Sequence, residues 1–214
     1  AHWLKDLQTK ANLYLSSIEW HNGKLQIVEW SINGNSTIVA LYKYVSGQML
    51  EANTVNANEM KLIGEFLAKM HAYSIESQPK FNFPQLDYNG LFGKTGIYYP
   101  GEEAMQVFTD EQLTVMDAAA EKVKVAMDEL GVSDSEFGLI HGDLLLQNIL
   151  FHEGEVRALD FEYCGWGYYL YDLTPLLWQL KPQARYPELE QALWDGYTSI
   201  RPLSSRHREL LETF

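Results

Sequence analysis

Apolar residues recur along the chain with two periods, and the changes between them mark the elements. Trp3, Leu4 and Leu7 have helical spacing, so the chain opens inside or at the beginning of a helix on which Lys5 and Lys10 also sit. Residues 24–46 then read as strands. Leu25, Ile27 and Val28-Glu29-Trp30 form one run, and Thr37 to Tyr42 form another. Asn33-Gly34 between them is a hairpin signal, although the loop is longer than two residues. Asn58 is expected to cap the next helix, with Glu59 in its first turn. From there to His71, the residues Met60, Ile63, Phe66, Leu67 and Met70 fall on one side.

The stretch from Ser77 to Gly101 is rich in Pro, Gly, Asn, Tyr and Phe and keeps no period, which predicts a long connection or an irregular insertion. Thr109 is expected to cap a helix that runs through Met116, Val123 and Met127 to Leu130 and ends at Gly131. Ile149 to Phe151 and Val156 to Leu159 are short apolar runs flanking Glu153-Gly154, which reads as a hairpin. Leu170 to Leu180 is a strongly apolar helix interrupted by Pro175, and Tyr186 to Tyr197 and Ser205 to Phe214 are further predicted helices. No internal repeat or low-complexity tract occurs. Periodicity alone therefore supports a mixed α+β class.

Composition narrows the setting. A chain of 214 residues with 46% hydrophobic and 13% aromatic residues can bury one core, with or without an extra lobe. No run reaches the length of a transmembrane helix, and no charged-then-apolar leader stands at the start. The single cysteine, Cys164, excludes an intramolecular disulfide, and these features together favour the cytoplasm. A net charge of −13 leaves no basic stripe for nucleic acid or an anionic membrane. It is compatible with a cationic substrate, and equally with an acidic surface that only keeps the chain in solution.

Chemistry concentrates in Leu139-Ile-His141-Gly142-Asp143, with Asn148 five residues after that Asp and Asp160-Phe161-Glu162 twelve residues further on. The predicted hairpin would hold three oxygen-bearing side chains at its edges. Phosphotransfer needs this layout: one carboxylate beside the acceptor hydroxyl, with a carboxylate and an amide to hold magnesium against phosphates.

His-Gly-Asp-x-x-x-x-Asn followed by Asp-Phe-Glu resembles the aminoglycoside phosphotransferase and choline kinase family, relatives of the protein kinases. The tail from Asp160 through Trp166 to Asp172-Leu173 resembles a bacterial branch of it. The resemblance implies a protein-kinase-like α+β fold, with a partial β-rich small lobe over residues 1–46 and a mainly helical large lobe over 47–214. It implies that Asp143 is the catalytic base, that Asn148 and Asp160 are magnesium ligands, that His141 braces the loop, and that Asp172 anchors the segment after the metal site. Tyr42 to Gly47 looks like the hinge between lobes, where the Lys43 carbonyl and the Val45 amide would pair with adenine above Leu150 as a floor. ATP and Mg²⁺ are then the cofactors, and a small molecule bearing a hydroxyl, aminoglycoside- or choline-like, is the acceptor.

The chain departs from the family pattern in two ways. Many members have His and Pro where this chain has Leu145 and Leu146, which opens the question of a lost polar contact to the phosphate or the loop. Relatives also precede the first helix with a phosphate-covering loop and a phosphate-gripping Lys that this sequence does not contain, and they continue for another helix or two. The chain is thus expected to be a fragment or a reduced relative, and a non-catalytic scaffold is the alternative to an enzyme. A Ser/Thr protein kinase is the other alternative, weakened by His-Gly-Asp in place of His-Arg-Asp and by the missing Ala-Pro-Glu segment.

Several residues admit two readings. His71 reads as a ligand or acid-base group, or as a helix-end or hydrogen-bonded core histidine. Tyr88, Phe92, Tyr98 and Tyr99 could stack on a sugar or cover a quaternary ammonium, or pack beneath a loop. Cys164 reads as a buried, unreactive thiol. Glu162 lies near enough to Asp160 to touch metal, water or acceptor. The six histidines show no metal-ligand spacing.

Overall fold

A computed structural model describes residues 2–16, 20–21, 24–25, 27–32, 35–78, 82–99 and 101–214. In chain order the elements begin with α1 (His2–Thr9), β1 (Tyr14–Leu15), β2 (Trp20–His21), β3 (Lys24–Leu25), β4 (Ile27–Ile32), β5 (Asn35–Ala40) and β6 (Gln48–Met49). Next come α2 (Ala57–Ser77), β7 (Gln85–Leu86), α3 (Tyr88–Phe92), α4 (Glu102–Met105), α5 (Asp110–Leu130), β8 (Phe137–Ile140), β9 (Ile149–His152), β10 (Glu155–Ala158) and β11 (Gly165–Tyr168). The last helices are α6 (Thr174–Leu180), α7 (Tyr186–Thr198) and α8 (Ser205–Leu210). Single 3₁₀ turns cover Leu146–Asn148 and Tyr171–Leu173.

The helix signals explain where the helices start. Asn56, not Asn58, caps α2: its side chain accepts the Asn58 and Glu59 amides, and Glu59 accepts the Asn56 amide in return. Asn58 instead occupies the first turn, and the capping box decides between two chemically similar residues two positions apart. Thr109 and Gln112 make the same reciprocal cap on α5, which ends at Gly131 with φ 69°. Pro175 opens α6 rather than interrupting it, because its missing N–H costs nothing in a first turn. Lys10 lies just beyond α1. The Ser77–Gly101 stretch is less irregular than expected: α2 runs through Ser77, and β7 and α3 follow. The helix expected over Ser205–Phe214 is shorter, ending at Leu210.

Two small sheets carry the centre. In one the order is β1-β10-β9-β6, with β9 and β10 antiparallel and β1 added in parallel. The other runs β7-β11-β8. β4 and β5 pair antiparallel with each other, from Ile27 opposite Ala40 to Ile32 opposite Asn35; the Asn33-Gly34 turn signal lies outside the described residues. The β9–β10 turn has φ 52° at Glu153 and φ 81° at Gly154, the left-handed pair a two-residue hairpin loop requires. Leu15, Ala158 and Ile149 form a buried row on one sheet face, and Tyr14, Arg157, Leu150 and Met49 form the row on the other.

One core joins both ends of the chain. Trp3, Leu4 and Leu7 of α1 belong to the same buried cluster as residues of α2, β9, β10 and the C-terminal helices, so residues 1–46 do not have a core of their own among the described residues. No helix of the described residues is long and apolar enough to cross a membrane. α2 and α7 pack closely against each other. A Cβ on Gly64 would stand 2.2 Å from the Leu193 carbonyl oxygen, and one on Gly196 would stand 2.0 Å from that of Lys61. Reciprocal glycines thus set the helix spacing, and with it the position of His71 against Tyr197. Gly64→Ala and Gly196→Ala are each expected to lower the unfolding free energy by about 1–3 kcal/mol, as overpacking usually does, with the double variant costing less than the sum. Urea titration checks this; additive or negligible losses would mean that the helices separate freely.

Candidate active site

β8 delivers its chain into a tight turn at His141-Gly142-Asp143. Gly142 has φ 84°, and a Cβ there would lie 2.4 Å from the Tyr163 carbonyl oxygen, so only glycine fits. That conformation turns two successive amides toward one buried carboxylate: Asp172 accepts the His141 N–H at 2.9 Å and the Gly142 N–H at 2.7 Å. The His141 ring is fully buried. Its Nε2–H donates to the Leu159 carbonyl at 2.8 Å, and its Nδ1 accepts the Asp143 amide at 3.3 Å. Burial holds His141 below its usual pKa, so it serves as a neutral brace between the turn and the end of β10.

Asp143 is half-buried at the wall of a cavity of about 510 Å³. Its carbonyl oxygen accepts the Asn148 side-chain N–H at 2.9 Å. Leu159 N–H in turn donates to the Asn148 carbonyl at 2.8 Å, which places Asn148 at the hairpin end from which Asp160 emerges. Asp160 is exposed, with φ 57°, a left-handed conformation that Asp tolerates better than most residues. Asn148 and Asp160 are therefore brought together, and both are tied to the Asp143 turn. Burial, opposed by His141 and reinforced by the Asp160 and Asp172 charges, raises the Asp143 carboxyl above its ordinary pKa.

The same geometry tests whether a metal ion fits. The Asn148 amide nitrogen is occupied, which leaves its Oδ1 outward, and neither that oxygen nor the Asp160 carboxylate accepts a hydrogen bond among the described residues. Two hard oxygen donors suit Mg²⁺, which keeps waters and completes its shell with phosphate oxygens. No cluster of three His, Cys, Asp or Glu that could hold a metal exists among the described residues.

The three expected nucleotide contacts are not all brought together. Lys43 and Val45 line a second cavity, of about 410 Å³, with Tyr14, Ser46 and Arg157. The Arg157 guanidinium donates to the Ser46 carbonyl at 3.0 Å and its hydroxyl at 2.8 Å, fixing the end of this segment. Leu150 shares the sheet face with Arg157 but lies beneath Gly47, outside that cavity's wall.

Sequence reasoning missed several residues of the Asp143 cavity. Tyr171, Trp178, Lys181 and Glu212 line it, and no local pattern marks them. Of the four loop aromatics, Tyr98 reaches this wall, where its hydroxyl meets that of Tyr171 at 2.5 Å. Tyr88 and Phe92 stack behind it. Burial and Tyr98 push the Tyr171 phenol up, so it stays protonated. Leu145, at the departure from the family pattern, also lines the cavity, and the loop contact at Leu146 comes from the Gln179 side chain, which accepts its amide at 2.9 Å. His71 is not at a helix end: it is buried mid-helix and bonded to Asp172 and Tyr197. The Cys164 thiol is buried and pushed up to about 11, in keeping with an inert core position. Glu162 is exposed.

Comparison with known proteins gives a concordant picture. The model of the phosphotransferase enzyme family matches residues 18–210. The amicoumacin kinase of Bacillus subtilis is 24% identical over 181 residues, which is 83% of this chain and 51% of that protein. Among solved structures, a microcompartment-associated aminopropanol kinase superposes with a TM-score of 0.77 at 22% identity, covering 99% of this chain and 67% of the other. An amicoumacin kinase in complex with AMP-PNP, Ca²⁺ and Ami also reaches 0.77, at 17% identity, covering 99% of this chain and 64% of the other. These likenesses show the protein-kinase-like α+β fold. The chain spans about half the length of the first relatives it matches.

The raised Asp143 pKa has a consequence for stability. A carboxyl raised on folding favours the native state only while protonated, and that contribution is lost as pH rises through its native value. Asp143→Asn is therefore expected to melt higher than the parent at neutral pH. The difference should vanish as pH falls below the ordinary carboxyl value of 3.8. Thermal melts across that range check the sign; an equal or lower neutral-pH melting temperature would show that the turn tolerates the charge without cost.

Proposed function

The chain belongs to the phosphotransferase enzyme family, and from that premise we propose that it carries the catalytic part of an ATP-dependent kinase acting on a hydroxyl of a small molecule. The observation that carries the reading is the turn itself: Asp143 faces a cavity large enough for a small acceptor, while its own carbonyl holds Asn148 beside Asp160. In this reading Asp143 orients the acceptor hydroxyl and takes its proton late, and its raised pKa brings it nearer the operating pH. Asn148 Oδ1 and the Asp160 carboxylate would hold Mg²⁺, which when bound would offset the charge of the phosphates. The Lys43 carbonyl and Val45 amide have no hydrogen-bond partner among the described residues and are available to an adenine edge, with Leu150 as floor. The division into a small-lobe remnant over residues 1–46 and a large lobe over 47–214 belongs to the same reading.

The acceptor's chemistry follows from the cavity. Tyr98, Trp178 and Tyr186 supply aromatic wall, and Asp143 supplies negative charge beside the Lys181–Glu212 ion pair at 3.3 Å, a combination that suits an amino alcohol or a larger cationic alcohol. The similar aminopropanol kinase supports that class. Cytoplasmic action, where ATP and Mg²⁺ are abundant, completes the proposal.

Phosphate transfer from Mg-ATP to a panel of amino alcohols and aminoglycosides tests it. Asp143→Asn is expected to lower turnover by about 10²–10⁴-fold. Asp160→Ala should abolish the magnesium dependence of nucleotide binding while the protein stays folded. Retained turnover in a folded Asp160→Ala variant would remove the metal assignment, and an inert parent chain that binds no nucleotide would favour the non-catalytic scaffold.

A further inference from the structure

A line of hydrogen bonds runs from the His141-Gly142-Asp143 turn through two buried side chains to Arg201, and its polarity is set by chemistry at both ends. Asp172 accepts the two turn amides and a third N–H, His71 Nε2, at 3.0 Å. Burial, against which the Asp172 charge only partly works, keeps His71 below its usual pKa and therefore neutral. With Nε2 carrying the proton, Nδ1 must be an acceptor. The atom facing it is the Tyr197 hydroxyl, at 2.8 Å, so Tyr197 donates. The Tyr197 oxygen in turn accepts from the Arg201 guanidinium, which permanently lacks an acceptor and fixes the direction of the whole line. Arg201 is held over the Tyr169 ring at 4.3 Å and donates to the Ser135 carbonyl at 2.6 Å, just before β8. His71 and Tyr197 are 126 residues apart and meet only because α2 and α7 touch at Gly64 and Gly196.

We infer that His71 and Tyr197 are positioning residues, which relay the Arg201 charge to Asp172 and so hold the His141-Gly142-Asp143 turn in its working conformation. Neither touches the Asp143 cavity. The Asp172 carboxylate and the Tyr197 hydroxyl together hold the His71 ring as its Nε2–H tautomer, the first by accepting from Nε2–H and the second by donating to Nδ1. Without the Tyr197 hydroxyl the buried Nδ1 loses its donor and the ring its second anchor, so the Nε2–H bond that steadies Asp172 and the turn amides weakens. The relay's role in catalysis rests on the proposed kinase reading; its effect on the turn does not.

The test uses the whole chain and two readouts. Amide hydrogen exchange needs no substrate, so it separates failure of the relay from failure of the kinase reading. In Tyr197→Phe, exchange at His141 and Gly142 is expected to accelerate about tenfold relative to core amides such as Ile63, the equivalent of one lost hydrogen bond. Nitrogen chemical shifts of the His71 ring should show the Nε2–H form in both proteins, with Nδ1 shifted in the variant by the loss of its donor. His71→Gln can still present an N–H to Asp172 and should keep the slow exchange, whereas His71→Leu should lose it. If phosphate transfer is found, Tyr197→Phe should lower kcat with an unchanged KM for nucleotide. A uniform acceleration across all amides, unchanged ring nitrogen shifts, or equal behaviour of the Gln and Leu variants would each overturn the inference and leave these residues with a packing role alone.

Discussion

The buried carboxylate of Asp172 ties three separate elements of the fold to one another. An ionised carboxylate removed from water costs several kcal/mol unless its lone pairs are engaged. Asp172 is fully buried, and three N–H groups from two parts of the chain converge on it. Burial works to neutralise it, yet the bonds from His71 and the turn hold its pKa below the ordinary carboxyl value. Any displacement of β8, of the 3₁₀ turn at Tyr171–Leu173 or of α2 would leave one of these donors or the charge itself unpaired. The three elements are therefore registered against one another by an electrostatic penalty, not by apolar packing alone.

That registration explains the unusual backbone near the site. Two successive amides can reach one carboxylate only if Gly142 adopts its left-handed conformation, and Asp143 then projects away from Asp172 into the cavity. Asp160, also left-handed, turns its carboxylate out of the core just as Phe161 turns into it. Phe161 packs between the His141 ring, 4.4 Å away, and Trp3 of α1, 6.0 Å away. Residues held in sparse regions of backbone space cost energy and persist only where their surroundings over-determine them. The result is a local excess of negative charge from Asp143 and Asp160 over a buried Asp172, which a divalent cation would offset.

The sequence made the local parts of this arrangement legible and the distant parts invisible. The Thr109 cap, the Gly131 stop and the Glu153-Gly154 hairpin turn depend on neighbours a few residues apart, so composition and spacing reveal them. Asn56 was obscured because Asn58 is an equally good capping residue, and only the position of Glu59 three residues on distinguishes them. The motif from His141 to Asp160 is compact in sequence because a single turn and hairpin hold it. The cavity wall is not: Tyr98, Trp178 and Glu212 come from three separate segments whose meeting is a property of the tertiary fold. His71 shows the same limit. Its helix was predicted, but its partners lie 101 and 126 residues away.

The two sides of the proposed site are built to different standards, and the chemistry gives a reason. Asp143 is placed by a network of buried donors and acceptors through His141, Asp172 and His71, in which no member can move alone. The 43–46 segment, by contrast, is held among the described residues through two hydrogen bonds from one guanidinium to Ser46. Misplacing a reacting group by about 1 Å can cost 10²-fold in rate, because orientation supplies so much of the barrier reduction. A backbone edge that pairs with a flat ring through a carbonyl and an amide has no such demand, since the ligand completes its hydrogen bonds and settles its position on arrival. Rigid polar burial is costly, and around Asp172 that cost falls on the turn that presents Asp143 to the cavity.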